Sequence, residues 1–391
     1  MPRFDWEGAY EVNPKKFPVP PMQRDVPSIF VPLIGQYENI GDIILRRPLL
    51  DWLRTLGIVH VYLGPAPEGY EEGLGVQPGD RVYRSFGSWY LAALKEAVSG
   101  MAHYAFKPGE IQLSLRGLKE HLVVIPMLML MRLRGGKVVR VGSGARNFSP
   151  LPRALMKPSI ALSQFVMWRD GRTASYMGAG EVMPDLAFAE GDAVESHAPM
   201  DARNVLAVSM RGDRDLLSDV WQQAVRAYAD ARGLRIWVVT QVLRDSALSK
   251  SLAMSLGAEL LDWDGSAHDK QETKLRELYR RAHGVVSDRL HVLISAYSHG
   301  ALPMGMLAYP SDKIERHFEA VGVTGISLNT AGLGKDAILA YMEQIEANSD
   351  RVIAALPAAR QRLEQIRSQL RQMLAPGEHG VTEYVTRAQS R

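Results

Sequence analysis

The chain has 391 residues, enough for two domains that each bury a core of their own. Its 46% hydrophobic and 23% charged residues match the soluble globular average, and no apolar run nears the roughly 18 residues of a membrane helix, which excludes a disordered or membrane-integral chain. Lys and Arg (46) nearly balance Asp and Glu (43), so the net charge of +3 implies no nucleic-acid partner and any anion must be held locally. Cysteine is absent, which removes disulfides, thiolate metal sites and a Cys nucleophile, and with no signal segment at the start the expected location is the cytoplasm. Only 12 of the cations are Lys; the 34 Arg residues supply planar, permanently charged forks, although genome composition alone produces such a bias.

In chain order, residues 1–28 form a Pro-rich arm that blocks helix. The spacing then predicts a strand over Ile29 to Ile34, a loop, a helix over Asp42 to Leu56 closed by Gly57, and a strand over Val59 to Leu63. Leu122 to Leu133 reads as a buried helix, since as a membrane-docking segment it is shorter than a span. Lys137 to Val141 reads as a strand running into a tight turn at Gly142-Ser143-Gly144. A polar stretch from Glu190 to Arg203 separates a first domain over 29–190 from a second over 204–346. The second half repeats the alternation: strands at Val205 to Met210, Arg235 to Thr240, Glu259 to Trp263, Gly284 to Ser287 and Leu302 to Leu307, with helices at Leu216 to Ala231, Lys270 to Ala282 and Val292 to His299. Such alternation implies two doubly wound parallel sheets. A terminal helix over 348–375 is expected to pack back on the first domain, followed by a polar tail over 376–391.

Signatures with strong mechanisms are missing: the chain holds no GxxxxGK[ST] loop, HExxH pair, GxSxG elbow or EF-hand loop. Asp262-Trp263-Asp264 has the spacing of paired acids that share a hard cation, against the plainer reading of turn caps, and no metal is expected. Asn39-Ile40-Gly41-Asp42 lies between a strand and a helix. There Asp42 either caps the helix or faces the ligand crevice as a base, while Gly41 supplies an unusual backbone angle. Ser287-Asp288-Arg289-Leu290-His291 ends a buried strand and starts a helix, with Ser287 or Asp288 as cap. Its amides and dipole favour an anion, Arg289 adds a fork, and His291 has the chemistry to exchange a proton with the bound group. Protonated His291 would require an anionic partner, because a helix start depresses a histidine pKa.

Taken in order, Asn39-x-Gly41-Asp42, Trp168-Arg169-Asp170 with Ser175, Met183-Pro184-Asp185, Val208-Ser209-Met210-Arg211, Arg289-Leu290-His291 and Tyr309-x-x-x-Lys313 resemble the polysaccharide pyruvyl transferase family. The resemblance runs from about Phe30 to Gly322 and is most specific between Ser287 and Lys313. It implies two Rossmann-like domains facing a cleft (the GT-B arrangement) and phosphoenolpyruvate as donor substrate, with no further cofactor. The pyruvyl unit would pass to two hydroxyls of a sugar in a polysaccharide or lipid-linked glycan, forming a cyclic ketal and releasing phosphate. A lipid-linked acceptor would bring peripheral membrane contact.

On this resemblance Arg169, Arg211, Arg289, Leu290 and Lys313 bind the donor, a trianion that leaves water only where fixed cations meet it. His291 is the catalytic acid, Asp42 the base toward the acceptor hydroxyl, and Asn39 an acceptor contact. The family's glycine triplet is missing; its nearest equivalents are Lys107-Pro108-Gly109 and Arg134-Gly135-Gly136. Two other readings share the architecture: a nucleotide-sugar glycosyltransferase, in which Asp262 and Asp264 would matter, and a non-catalytic glycan-binding protein.

Overall fold

The computed structural model describes residues 26–214 and 218–375. The arm expected at 1–28 therefore lies outside the described residues up to residue 25, and the tail at 376–391 lies outside them entirely. Two parallel sheets organise the rest. The first contains β1 (Ser28–Pro32), β2 (Ile58–Tyr62), β3 (Arg81–Tyr83), β4 (Ala102–Phe106), β5 (Gly109–Gln112), β6 (Val138–Arg146), β7 (Phe165–Trp168) and β8 (Glu181–Val182). Their order is β3-β2-β1-β4-β6-β7-β8, with β5 paired to the far half of β6. The second contains β9 (Val205–Ser209), β10 (Arg235–Val239), β11 (Glu259–Leu261), β12 (Ala282–Ser287), β13 (Leu302–Leu307) and β14 (Ser327–Asn329), in the order β11-β10-β9-β12-β13-β14.

Both sheets are central layers covered by helices, so their central strands are buried on both faces, polar residues such as His60, His103 and Arg140 included. Along β1, Ile29 and Val31 face a core continuous with that of the second sheet, whereas Phe30 faces an outer core with Trp89, Tyr104, Met127 and Met131. The two halves are joined by backbone as well as by packing. Asn39 and Val242 form an antiparallel bridge, the Ile40 amide donates to Gln241, and the Leu243 amide donates to Glu38. Nearby, Arg47 and Arg276 each pair with both Glu190 and Glu272, at 2.5 to 2.8 Å. The helix Ser349–Leu374 crosses back: Arg360 donates to the carbonyls of Phe188, Glu190 and Asp192.

Three local expectations change. The helix predicted over Asp42 to Leu56 is two, Ile40–Ile44 and Arg47–Arg54, because Pro48 has no amide to continue the first and is favoured in an opening turn. The segment Leu122 to Leu133 likewise divides between helices Leu115–Val123 and Ile125–Leu133, with Pro126 at the start of the second. Gly142-Ser143-Gly144 is no turn. β6 continues through it with a register shift after Val141, which Gly142 absorbs at φ +74°, a left-handed angle open to glycine. The bulge carries β6 on to Arg146, at the mouth of the cleft.

Candidate functional site

Between the sheets lies a cavity of about 280 Å3, bounded by the carboxyl ends of strands from both halves. The loop after β1 brings Gln36, Asn39 and Asp42; the connection from β4 to β5 brings Lys107 to Gly109; β6 and β7 end at Arg146 and Arg169. From the second sheet, Arg211 follows β9, Gln241 to Arg244 follow β10, Asp288 to His291 follow β12, and Tyr309 to Lys313 follow β13. Asn39, Asp42, Arg169, Arg211, Arg289, Leu290, His291 and Lys313, the residues singled out from sequence, all line this one space.

Asn39, rather than Asp42, caps the helix Ile40–Ile44, its side chain accepting from the Gly41 amide at 2.9 Å. Gly41 has no left-handed angle; its place is fixed by closeness, since a Cβ there would stand 2.7 Å from Cβ of His291. That approach sets Asp42 beside His291 across the cleft. Asp42 accepts from the Gln36 amide at 2.8 Å and pairs with Arg46 at 3.0 Å. Burial pushes its carboxyl up, but Arg46, the Gln36 amide and His291 outweigh that and hold it below the usual carboxylate range.

His291 occupies the first turn of the helix Leu290–Tyr297, which no side chain caps, so its opening amides are without intrahelical acceptors. Arg289, not Ser287 or Asp288, is the cap residue; the Ser287 hydroxyl instead accepts from the Arg289 amide at 3.0 Å. Nε2 of His291 stands 3.5 Å from Asp185 Oδ2, the oxygen to which Arg169 Nη1 donates at 2.8 Å. Asp185 is fully buried, which raises its carboxyl, yet His291 and Arg169 pull it the other way and keep it well below the ordinary range. An anionic partner for His291 is thus built into the protein. Arg169 Nε is buried with no partner among the described residues, a donor left over after the Asp185 pair.

The remaining cations are held in the same way. Lys313 Nζ lies 2.7 Å from Glu110, which also pairs with Arg146 at 2.9 Å. Burial lowers Lys313, while Glu110 itself, despite burial, is drawn down to about 2 by Lys313, Arg169 and Arg146. Arg289 forks onto Asp245 at 2.5 and 2.6 Å, and Arg211 onto Asp213 with two bonds of 2.9 Å. Asp288 accepts the Arg211 amide at 2.9 Å but is pushed up to about 6 by burial, with Asp245 adding to the rise against Arg289 and Arg211. The result is a cavity wall with eight Lys or Arg against three Asp or Glu, most of the cations braced by carboxylates. Bracing removes the side-chain entropy cost of gathering cations around an anion.

Several lining groups were not legible as site residues. Arg46 and Arg244 lie in no motif, and Arg146 lies beyond the expected end of its strand; Asp245, which is not part of the lining, braces Arg289 from behind. Asp185 was visible within its motif but without a role. Lys107-Pro108-Gly109 lines the cavity, whereas Arg134-Gly135-Gly136 joins the helix Ile125–Leu133 to β6. Asp262 and Asp264 are elsewhere: Asp262 accepts from Thr240 and Ser246 at 2.8 Å, and Asp264 from the Ser266 amide at 2.9 Å, the turn and anchoring roles of the plainer reading.

Two parallel-sheet α/β domains facing a cleft define the GT-B fold, and solved structures agree. UDP-GlcNAc 2-epimerase from Neisseria meningitidis, bound to UDP-GlcNAc, superposes with a TM-score of 0.53 at 11% identity, covering 84% of this chain and 94% of that one. Anabaena Alr3699/HepE in complex with UDP-glucose gives 0.51 at 14% identity, over 89% and 99%. Such identities speak for the fold alone. The family model for polysaccharide pyruvyl transferase matches residues 39–301, and the chain belongs to that family. No curated protein matches the sequence.

Proposed function

We infer that the protein transfers the pyruvyl unit of phosphoenolpyruvate onto two hydroxyls of one sugar in a polysaccharide or lipid-linked glycan, forming a cyclic ketal and releasing phosphate. The observation that carries this reading is the convergence of Arg169, Arg211, Arg289 and Lys313, drawn from both domains, around a cavity of small-molecule size with His291 in its wall. A carboxylate and a phosphate on one three-carbon unit suit that charge.

His291, held by Asp185, gives a proton to the methylene carbon, and positive charge develops on the central carbon. One sugar hydroxyl adds there as its proton passes to Asp42; the second closes the ring as the carbon–oxygen bond to phosphate breaks, and its proton leaves with phosphate. The methyl proton thus comes from His291 and the first hydroxyl proton rests on Asp42, so loss of that proton from Asp42 to solvent and uptake of one by His291 restore both groups, while the second hydroxyl proton departs on phosphate. Asp42 remains ionised at working pH because of Arg46, so it is ready to accept a proton but weakly basic, and the electron-poor central carbon must supply most of the drive. Asn39, beside Asp42, faces the acceptor.

Thermal-shift titration with phosphoenolpyruvate, alongside nucleotide sugars, tests the donor by mass action. A saturable rise with phosphoenolpyruvate that disappears in Arg289→Ala and Lys313→Ala is the expected result. A rise only with nucleotide sugars would replace this reading with a glycosyltransferase.

A further inference from the structure

The helices over the outer face of the first sheet expose what a soluble surface normally hides. Of the twelve large apolar side chains exposed among the described residues, nine fall between Phe86 and Leu133. Leu91 and Val98 stand on the helix Phe86–Ser99, Leu122 and Val123 on Leu115–Val123, and Met129 and Leu133 on Ile125–Leu133; Leu133 is 82% exposed and Leu91 66%. The inward residues of the same helices, Trp89, Ala93, Met127, Leu128 and Met131, already fill the core beneath. Isolated exposed apolar residues are ordinary, but a group gathered on adjoining helices marks an interaction surface.

This surface is also basic. From Phe86 to Lys137 the chain carries seven Lys or Arg against three Asp or Glu, more excess charge than the whole protein has. Glu96 and Glu120 are paired to Arg81 and Lys107, whereas Arg116, Lys119, Arg132 and Arg134 enter no ion pair among the described residues.

Within the same region opens a groove of about 310 Å3, lined by Ile34, Tyr62, Phe86, Trp89, Phe106 and Val123 together with Lys107 and Lys119. Its walls offer little polarity: Trp89 Nε1 is spent on the His60 carbonyl at 3.0 Å, and burial keeps His121 neutral. The groove adjoins the charged cavity. Ile34 lines the groove and Gly35 the cavity, while Lys107 lines both.

We propose that this face docks on an anionic lipid bilayer, with one hydrocarbon chain in the aromatic groove and the attached head group directed toward the cavity. Exposed apolar side chains amid unpaired cations are the composition that binds headgroups and acyl chains together, whereas two copies meeting through this face would set like charges against each other. Docking and groove occupancy stand on the surface alone; only the direction of the head group rests on the proposed function.

Co-sedimentation with vesicles tests it, without any substrate. The full chain should partition onto phosphatidylcholine vesicles containing phosphatidylglycerol about tenfold better than onto phosphatidylcholine alone. Leu133→Asp with Met129→Asp, and separately Lys119→Glu with Arg132→Glu, should each lower that partition by about tenfold at an unchanged melting temperature. Brominated acyl chains should quench tryptophan fluorescence of the bound protein, less so in Trp89→Phe or, should that variant melt early, in Phe86→Asp at the groove mouth. Equal partition onto both vesicle types, or variants that bind like wild type, would overturn the proposal. So would a dimer abolished by Leu133→Asp in a protein that ignores vesicles. Because no donor is used, such a failure leaves the pyruvyl transferase reading to its own titration.

Discussion

The charged cleft and the aromatic groove begin one residue apart, at Gly35 and Ile34, yet obey opposite rules. At the cleft, Arg46, Arg169 and Asp185 are charges that water would normally solvate, yet they are buried and persist because each has a partner of opposite charge; on the helix faces around the groove, apolar groups that would normally be buried lie open. The lesson is that residue type marks function poorly until burial is known. A buried ion costs several kcal/mol unless paired, and exposed apolar surface is unfavourable unless something covers it, so both are retained at a cost that an interaction must offset.

The sharpest way to break the comparison is at His291. His291→Ala should lower turnover by about 10^2 to 10^4-fold while the donor-induced thermal shift persists, and near-normal turnover would remove His291 from the chemistry. Next comes Asp185, which anchors both His291 and Arg169. Asp185→Ala should cost about 3–5 kcal/mol in denaturant unfolding because it strands the buried Arg169 charge. Adding Arg169→Ala should restore part of that loss; strict additivity would mean that the pair is not coupled. Arg289→Lys keeps the charge but loses the fork onto Asp245, and should raise the half-saturating donor concentration by about tenfold.

A smaller effect concerns pH. The folded pKa of Asp288, about 6, lies above its ordinary 3.8, so below pH 4 both folded and unfolded states are protonated and no cost arises. Between about pH 4 and 6 the unfolded chain ionises first and stability is lost, and the full penalty is present above pH 6. Asp288→Asn should therefore stabilise the protein on the order of 1 kcal/mol at pH 7.5 and by almost nothing at pH 4, as read from melting curves at the two values. The smallest effect marks the other side of the comparison: Leu133→Asp should change stability by less than about 0.5 kcal/mol, because a residue so exposed contributes little to the fold.

Five of the six strands of the second sheet were legible because each holds a short apolar run and helical patterns recur between them, and β13 was expected at Leu302 to Leu307 and lies there; β14, Ser-Leu-Asn, has no such run and was not expected. The first sheet was harder. His103 interrupts β4, Lys107 and Pro108 separate it from β5, and Glu110 lies within β5, polar breaks that disguise both strands, and the bulge at Gly142 looks like a turn until its neighbours in β5 and β7 are known. The cleft motifs were legible because each sits just past a strand end, where the chain order of Asn39, Arg169, Arg211, Arg289 and Lys313 carries the resemblance.

Sequence alone determined the alternation of strand and helix, the family, and the chemical types gathered at strand ends, because those properties are local and periodic. Tertiary structure alone decided which carboxylate braces which cation, how closely Gly41 admits His291, and which side of the helix Ile125–Leu133 faces water. Those outcomes depend on distances between segments far apart in the chain, and on burial, which sets the energy of a charge or an apolar side chain only once its neighbours are in place.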